Sequence, residues 1–137
     1  TVAAKSAQFV QAFINIALVP DAGSSYFLPR LIGRARASEM MMLGENVSAE
    51  EAQRVGLIHK MVDDDLLMDQ ATALAKKLRK KSTNTLTQIR KLLDRSFENS
   101  LEDQLEEEAK AQQVAGKTEN FMEGVNAFRE KREPKFK

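Results

Sequence analysis

At 137 residues, with 42% hydrophobic and 30% charged side chains, the chain is long enough for one modest core and has the composition of an ordinary soluble globular domain. A formal charge of +1 gives no overall field to recruit nucleic acid or an anionic membrane, so bulk charge predicts neither as a partner. The absence of cysteine excludes disulfides and thiolate metal sites, and a single histidine argues against a His-based metal centre or a Ser-His relay, so no metal site is expected.

Thr1 to Ala4 and Gln8 to Leu18 are rich in Val, Phe and Ile. Phe9, Gln11, Phe13 and Asn15 alternate with Val10, Ala12, Ile14 and Ile16, which predicts two short strands. The apolar run from Phe9 to Pro20 is interrupted by Gln11 and Asn15 and falls far short of the roughly 20 residues a spanning helix needs. The opening Thr-Val-Ala-Ala-Lys-Ser-Ala has neither an initiator methionine nor the charged-then-apolar pattern of a signal peptide. A cytoplasmic protein is expected. Proline has no backbone donor and a fixed φ; the run therefore halts at Pro20 and delivers a lone carboxylate, Asp21.

Ala22 to Ser25 are small, capping-type residues that open a helix from Ala22 to about Ile32, although Pro29 would ordinarily stop it a residue earlier. Gly33 closes that segment. Arg34 to Leu43 is predicted as a second helix with Gly44 as its left-handed cap, and Met40, Met41 and Met42 as adaptable packing surface. Ser48-Ala-Glu-Glu51 reads as a capping box before a short helix ended by Gly56. Leu57 to Val62 alternates as a strand that includes His59, read as an ordinary residue. Asp63, Asp64 and Asp65 then place acids at the next helix start; a cation site there lacks the Gly and terminal Glu of an EF-hand.

Leu67, Ala71, Leu74, Ala75 and Leu78 form an apolar stripe on a helix to about Lys81. Ser82 to Thr85 break it. Leu86, Ile89, Leu92, Leu93 and Phe97 mark another helix; Ser100 caps a third with Leu101, Leu105 and Ala109 inward; Thr118 caps a last one carrying Phe121, Val125 and Phe128, which stops before Pro134. The fold class is thus mainly α with a few short strands.

Local chemistry leaves two roles for Asp21. It is either an N-cap for the following helix or a general base whose pKa is lifted by burial among Val19, Phe13 and Tyr26. The stretch Phe9-Val-Gln-Ala-Phe-Ile-Asn-Ile-Ala-Leu-Val-Pro-Asp-Ala-Gly-Ser-Ser-Tyr-Phe-Leu-Pro-Arg-Leu-Ile-Gly33, with Leu43-Gly-Glu-Asn-Val-Ser-Ala-Glu-Glu-Ala-Gln-Arg-Val-Gly-Leu-Ile58, resembles the enoyl-CoA hydratase/isomerase (crotonase) superfamily. The resemblance covers nearly the whole chain and is closest to isomerase branches acting on ring epoxides of aryl-acetyl thioesters or on enoyl double bonds, which carry an acid directly after the proline. Hydratases of the family usually have glycine there, and their second catalytic glutamate falls where this chain has Phe13.

The resemblance implies the C-terminal half of a crotonase-type ββα spiral in residues 1–64, with a helical trimerisation region in 65–137. It implies an acyl-CoA substrate, with coenzyme A as part of the substrate and no separate cofactor, and a homotrimer or hexamer. Asp21 would be the catalytic base. Phe13, Pro20 and Tyr26 would bind substrate beside it, while Phe128 and Lys131 would approach the adenine end of CoA. Both oxyanion donors would lie upstream of Thr1, so the piece alone is expected to be inactive. The competing reading makes Phe128 a core position on its helix stripe and Lys131 a solvated residue. The alternatives are an enoyl-CoA hydratase, a non-catalytic assembly module, or an RNA-binding relative using Lys76, Lys77, Arg79, Lys80 and Lys81, residues that also suit a solvated helix end.

Overall fold

The computed structural model describes residues 1–137. Its strands are short: β1 (Val2–Ala4), β2 (Gln8–Phe9), β3 (Val47–Ser48) and β4 (Lys60–Val62). Seven helices carry most of the chain, α1 (Ser24–Ile32), α2 (Arg34–Leu43), α3 (Ala49–Arg54), α4 (Leu67–Arg79), α5 (Thr83–Arg95), α6 (Leu101–Ala115) and α7 (Glu119–Arg129). None of them is long and apolar enough to cross a membrane. Tertiary contacts divide the chain into two compact units, residues 1–73 and 74–137, a division that falls within α4.

In the first unit β1 pairs in parallel with β4, Ala3 opposite Met61, and β2 pairs antiparallel with β3, Phe9 opposite Val47. The core cluster consists of Ala3, Ala52 and Ile58, with Phe9, Val47, Leu57 and Met61 packed around them, while Leu28, Met40 and Val62 are buried elsewhere in the unit.

Of the stretch Gln8 to Leu18, where the second short strand is expected, only Gln8–Phe9 forms one. β2 ends at Phe9, and Ala12–Ile16 is a 3₁₀ turn. The reason lies in α2, whose cap Gly44 (φ 62°) receives the turn: a Cβ at Gly44 would be 2.8 Å from both Ile14 Cγ2 and Asn15 Oδ1, and Asn15 Nδ2 donates to the Gly44 carbonyl. The alternation is apolar enough for a strand, but a backbone approach without a side chain holds it as a turn.

Leu57 to Val62 is likewise shorter as a strand than its pattern. The Leu57 and Ile58 N–H groups donate to the Ala52 carbonyl, closing α3, and the ladder starts only at Lys60. His59 therefore precedes the strand; it is exposed, and its N–H donates to Thr1. At the start of α3 half of the capping box forms: Ser48 Oγ accepts the Glu51 N–H, while the Glu51 carboxylate turns to Arg54 instead of back. Of the three aspartates, Asp64 accepts the Ser6 N–H at 3.0 Å, which ties the β1–β2 loop to the start of α4.

The second unit buries only Ser82 and Ala127. Its α6 does not face inward along Leu101, Leu105 and Ala109, as the stripe predicts; Leu101 is 75% exposed. The covered positions are Gln104, Glu107, Ala111 and Ala115, and Gln104 Nε2 donates to the Leu92 carbonyl of α5. The Leu92 carbonyl already accepts the Ser96 N–H, so the glutamine adds a second hydrogen bond there, a polar contact in the place of a leucine contact. Ser82 is the buried N-cap of α5, where its hydroxyl oxygen meets the Thr85 N–H, Thr85 Oγ1 and Asn120 Nδ2.

Candidate active site

Pro20 and Asp21 lie on a short connection between the 3₁₀ turn and α1. Ala17 closes the turn in the left-handed region (φ 58°); its N–H donates to Ile14 O, and the Leu18 N–H donates to Phe13 O. At the other end Ala22 (φ 50°) and Gly23 (φ 78°) are both left-handed. Helix α1 consequently begins at Ser24, two residues later than the small-residue run predicts. A left-handed alanine costs roughly 1–2 kcal/mol, so strain brackets the segment that carries the acid. No sequence signal marks these alanines, because the residue types that signal a left-handed turn are Gly and Asn.

The N-cap reading of Asp21 fails. Gly23 is the N-cap and makes no side-chain cap bond. What Asp21 contributes is its backbone carbonyl, which accepts the Ser24 N–H at 2.9 Å and Ser24 Oγ at 2.8 Å. Its carboxylate makes no hydrogen bond or ion pair within the chain, and the residue is exposed. The burial expected among Val19, Phe13 and Tyr26 is therefore absent from this chain. Val19 is 80% and Ile16 70% exposed, so the acid sits beside an open apolar surface.

Phe13 and Pro20 are half-buried. Tyr26 is exposed, with its ring 3.6 Å from the Arg30 guanidinium and edge-on to Phe27 at 5.2 Å. One aromatic face is thus taken by a cation from the next turn of α1.

Phe128 and Lys131 belong to the second unit. Phe128 is 86% exposed, which removes the core reading of its stripe. Lys131 is not on the same helical face, as spacing predicts: α7 ends at Arg129, and Lys131 stands beyond it in the left-handed region (φ 54°). The two are joined by the turn itself, the Lys131 N–H donating to the Phe128 carbonyl at 3.3 Å. Sequence reasoning passed over the residues that hold this turn, Glu123 and Arg132. Their signal is an acid on α7 and an arginine just past its end, which proximity in sequence alone does not pair.

No group of three or more His, Asp or Glu side chains is placed to hold a metal ion. Residues 1–137 match the enoyl-CoA hydratase/isomerase family. The chain belongs to that family. It is 42% identical over 135 residues to the 1,2-epoxyphenylacetyl-CoA isomerase of Escherichia coli K12, covering 98% of this chain and 52% of that protein. It is 34% identical over 136 residues to the 2,3-dehydroadipyl-CoA hydratase of the same organism, covering 99% and 53%. A solved enoyl-CoA hydratase from Bacillus anthracis superposes with a TM-score of 0.95 at 32% identity, covering 99% of this chain and 53% of that one. The enoyl-CoA hydratase/isomerase chain described here therefore spans about half the length of the curated relatives it matches. Isomerase and hydratase names both occur among those relatives.

Proposed function

We propose that the intact protein is an acyl-CoA isomerase in which Asp21 moves a proton. Asp21 takes a proton from a carbon next to, or vinylogous to, the thioester carbonyl. The resulting enolate is held by backbone N–H groups, and the same carboxylic acid returns the proton to a different carbon. Double-bond migration, or isomerisation of a ring epoxide, then balances with one acid and no water added. Coenzyme A enters as part of the substrate, and the proposed chemistry needs no separate cofactor.

The observation that carries this reading is the free Asp21 carboxylate on a strained connection, not used as a helix cap. Phe13, at the position where the resemblance puts the second acid of a hydratase, supports isomerisation over hydration. So does the 42% identity to an isomerase. A carboxylate of ordinary pKa near 3.9 is a weak base toward carbon, so burial has to narrow the gap. In the proposal that burial, the oxyanion donors and much of the CoA pocket come from protein beyond these 137 residues, which covers Ile16, Val19 and Asp21. Pro20, Phe13 and Tyr26 bind substrate beside the acid, and Phe128 and Lys131 meet the nucleotide end of CoA. The second unit assembles a homotrimer or hexamer in the cytoplasm.

The test is to assay the intact protein and its Asp21→Asn form against unsaturated acyl-CoA esters and ring-epoxide aryl-acetyl thioesters. Isomer formed by the wild type and lost in the variant supports the proposal. A hydrated product, favoured by the 34% identical hydratase, moves the assignment to the second reading, and an unimpaired variant removes Asp21 from the chemistry.

A further inference from the structure

Residues 130–137 fold back along α7 and are gripped there. Glu123 accepts both Arg132 Nη1 at 2.7 Å and Arg132 Nη2 at 3.0 Å, and also the Lys135 N–H at 2.7 Å. One turn earlier Asn120 Oδ1 accepts the Lys137 N–H at 2.9 Å, while its Nδ2 donates to the Lys137 carbonyl at 3.1 Å. Residues three apart share a helix face, so Asn120 and Glu123 form one dock. Between the gripped segments the Phe136 ring lies over Gly124, 3.6 Å from where a Cβ would stand.

The grip has something to hold. The Arg132 N–H donates to Ala127 O and the Lys131 N–H to Phe128 O, the paired bonds of a Schellman turn with Lys131 at its left-handed position. Glycine is the usual occupant. Lysine there is strained, so another constraint must outweigh the strain. The guanidinium that supplies it belongs to the very next residue, held by Glu123 on one side and by Glu130 at 2.6 Å on the other. Phe128 stands exposed at the same turn, three residues before Lys131, which is exposed as well.

We propose that Glu123 is a positioning residue: by clamping Arg132 it fixes the turn that presents Lys131 beside Phe128 to the phosphorylated nucleotide end of CoA. This rests on the reading that Lys131 and Phe128 meet that end. Glu123 itself touches no substrate, and its effect passes through Lys131.

The experiment compares Glu123→Gln, Lys131→Ala and the double variant of the intact protein on an acyl-CoA and on the same acyl group carried by pantetheine, which lacks the nucleotide. Glu123→Gln is expected to raise KM for acyl-CoA about tenfold with kcat unchanged, the size of one lost charge-assisted contact. It should leave the pantetheine thioester unaffected and add nothing in the Lys131→Ala background. In this chain, amide exchange at Lys131 to Lys137 should quicken in the same variant. Impairment by Lys131→Ala but not by Glu123→Gln overturns the positioning role alone. Wild-type acyl-CoA kinetics in Lys131→Ala overturn the nucleotide reading and the proposal with it. Equal KM rises on both thioesters mean general damage and also overturn it.

Discussion

Asp21 uses its backbone carbonyl to start α1 and leaves its carboxylate uncommitted, a division of labour that a capping acid does not show. Asp21→Asn keeps the size and the backbone bond but removes the proton acceptor. In the intact protein kcat should fall by about 10²–10⁴ with little change in KM, read from steady-state isomerisation rates. Glu123 is a different kind of acid. The Arg132 guanidinium, with the Lys135 N–H behind it, holds the Glu123 carboxyl down to about 2, from an ordinary 4.5. A depressed carboxylate stabilises the fold above its unfolded value and loses that contribution as pH falls through the folded one. Amide protection at Lys135 and Lys137 should therefore persist to about pH 4.5 and be lost between there and about pH 2, and Glu123→Gln should lack that titration in hydrogen exchange.

At the scale of elements, a glycine and a serine carry more than their size suggests. Gly44 ends α2 and seats the 3₁₀ turn that leads to Asp21, with space for no Cβ beside Ile14 and Asn15. Gly44→Ala adds both left-handed strain and a collision, so a loss of at least about 1–2 kcal/mol is expected, seen as a Tm lowered by roughly 4–8 °C. Ser82 caps α5 and also meets Asn120 of α7, so that one hydroxyl links the start of one helix to another. Ser82→Ala should cost about 1 kcal/mol in urea unfolding, and Ser82→Thr, which keeps the oxygen, should recover most of it. The capping residues Ser48, Ser100 and Thr118 were legible in the sequence, because an N-cap needs only the right oxygen at the right offset from a helix start; Ser82, legible only as part of a helix break, proves to be a cap as well. The inward face of α6 was not. Leu101, Leu105 and Ala109 satisfy helical periodicity, but which face is covered depends on where α5 lies and on Gln104 finding the Leu92 carbonyl.

The whole molecule leaves large apolar side chains open in both units: Ile16, Leu18 and Val19 near the acid, and Leu101, Phe121 and Phe128 among the later helices. Patches of this kind on a family member spanning about half the length of its relatives fit surfaces made to be covered. The 137-residue chain by itself is expected to show no isomerase turnover, since loss of one oxyanion donor alone costs about a hundredfold or more. Steady turnover by the purified chain would reject the division of the site set out above. Sedimentation of the intact protein should give a trimer or hexamer; a monomer at micromolar concentration would reject assembly through the second unit.

The order of helices, their caps, the small number of strands and the acid after Pro20 were determined by the sequence alone, since each depends on neighbours within a few residues. Tertiary structure decided the rest. It made Ala12–Ile16 a turn because Gly44 comes close, started α1 at Ser24 because Ala22 and Gly23 are left-handed, and put Lys131 past the end of α7 in the grip of Glu123 and Arg132. Periodicity records which side chains are apolar. It does not record which groups another segment will meet: Gly44 against Ile14 and Asn15 sets the turn that leads to Asp21, and the Glu123–Arg132 pair lies at the turn that bears Lys131.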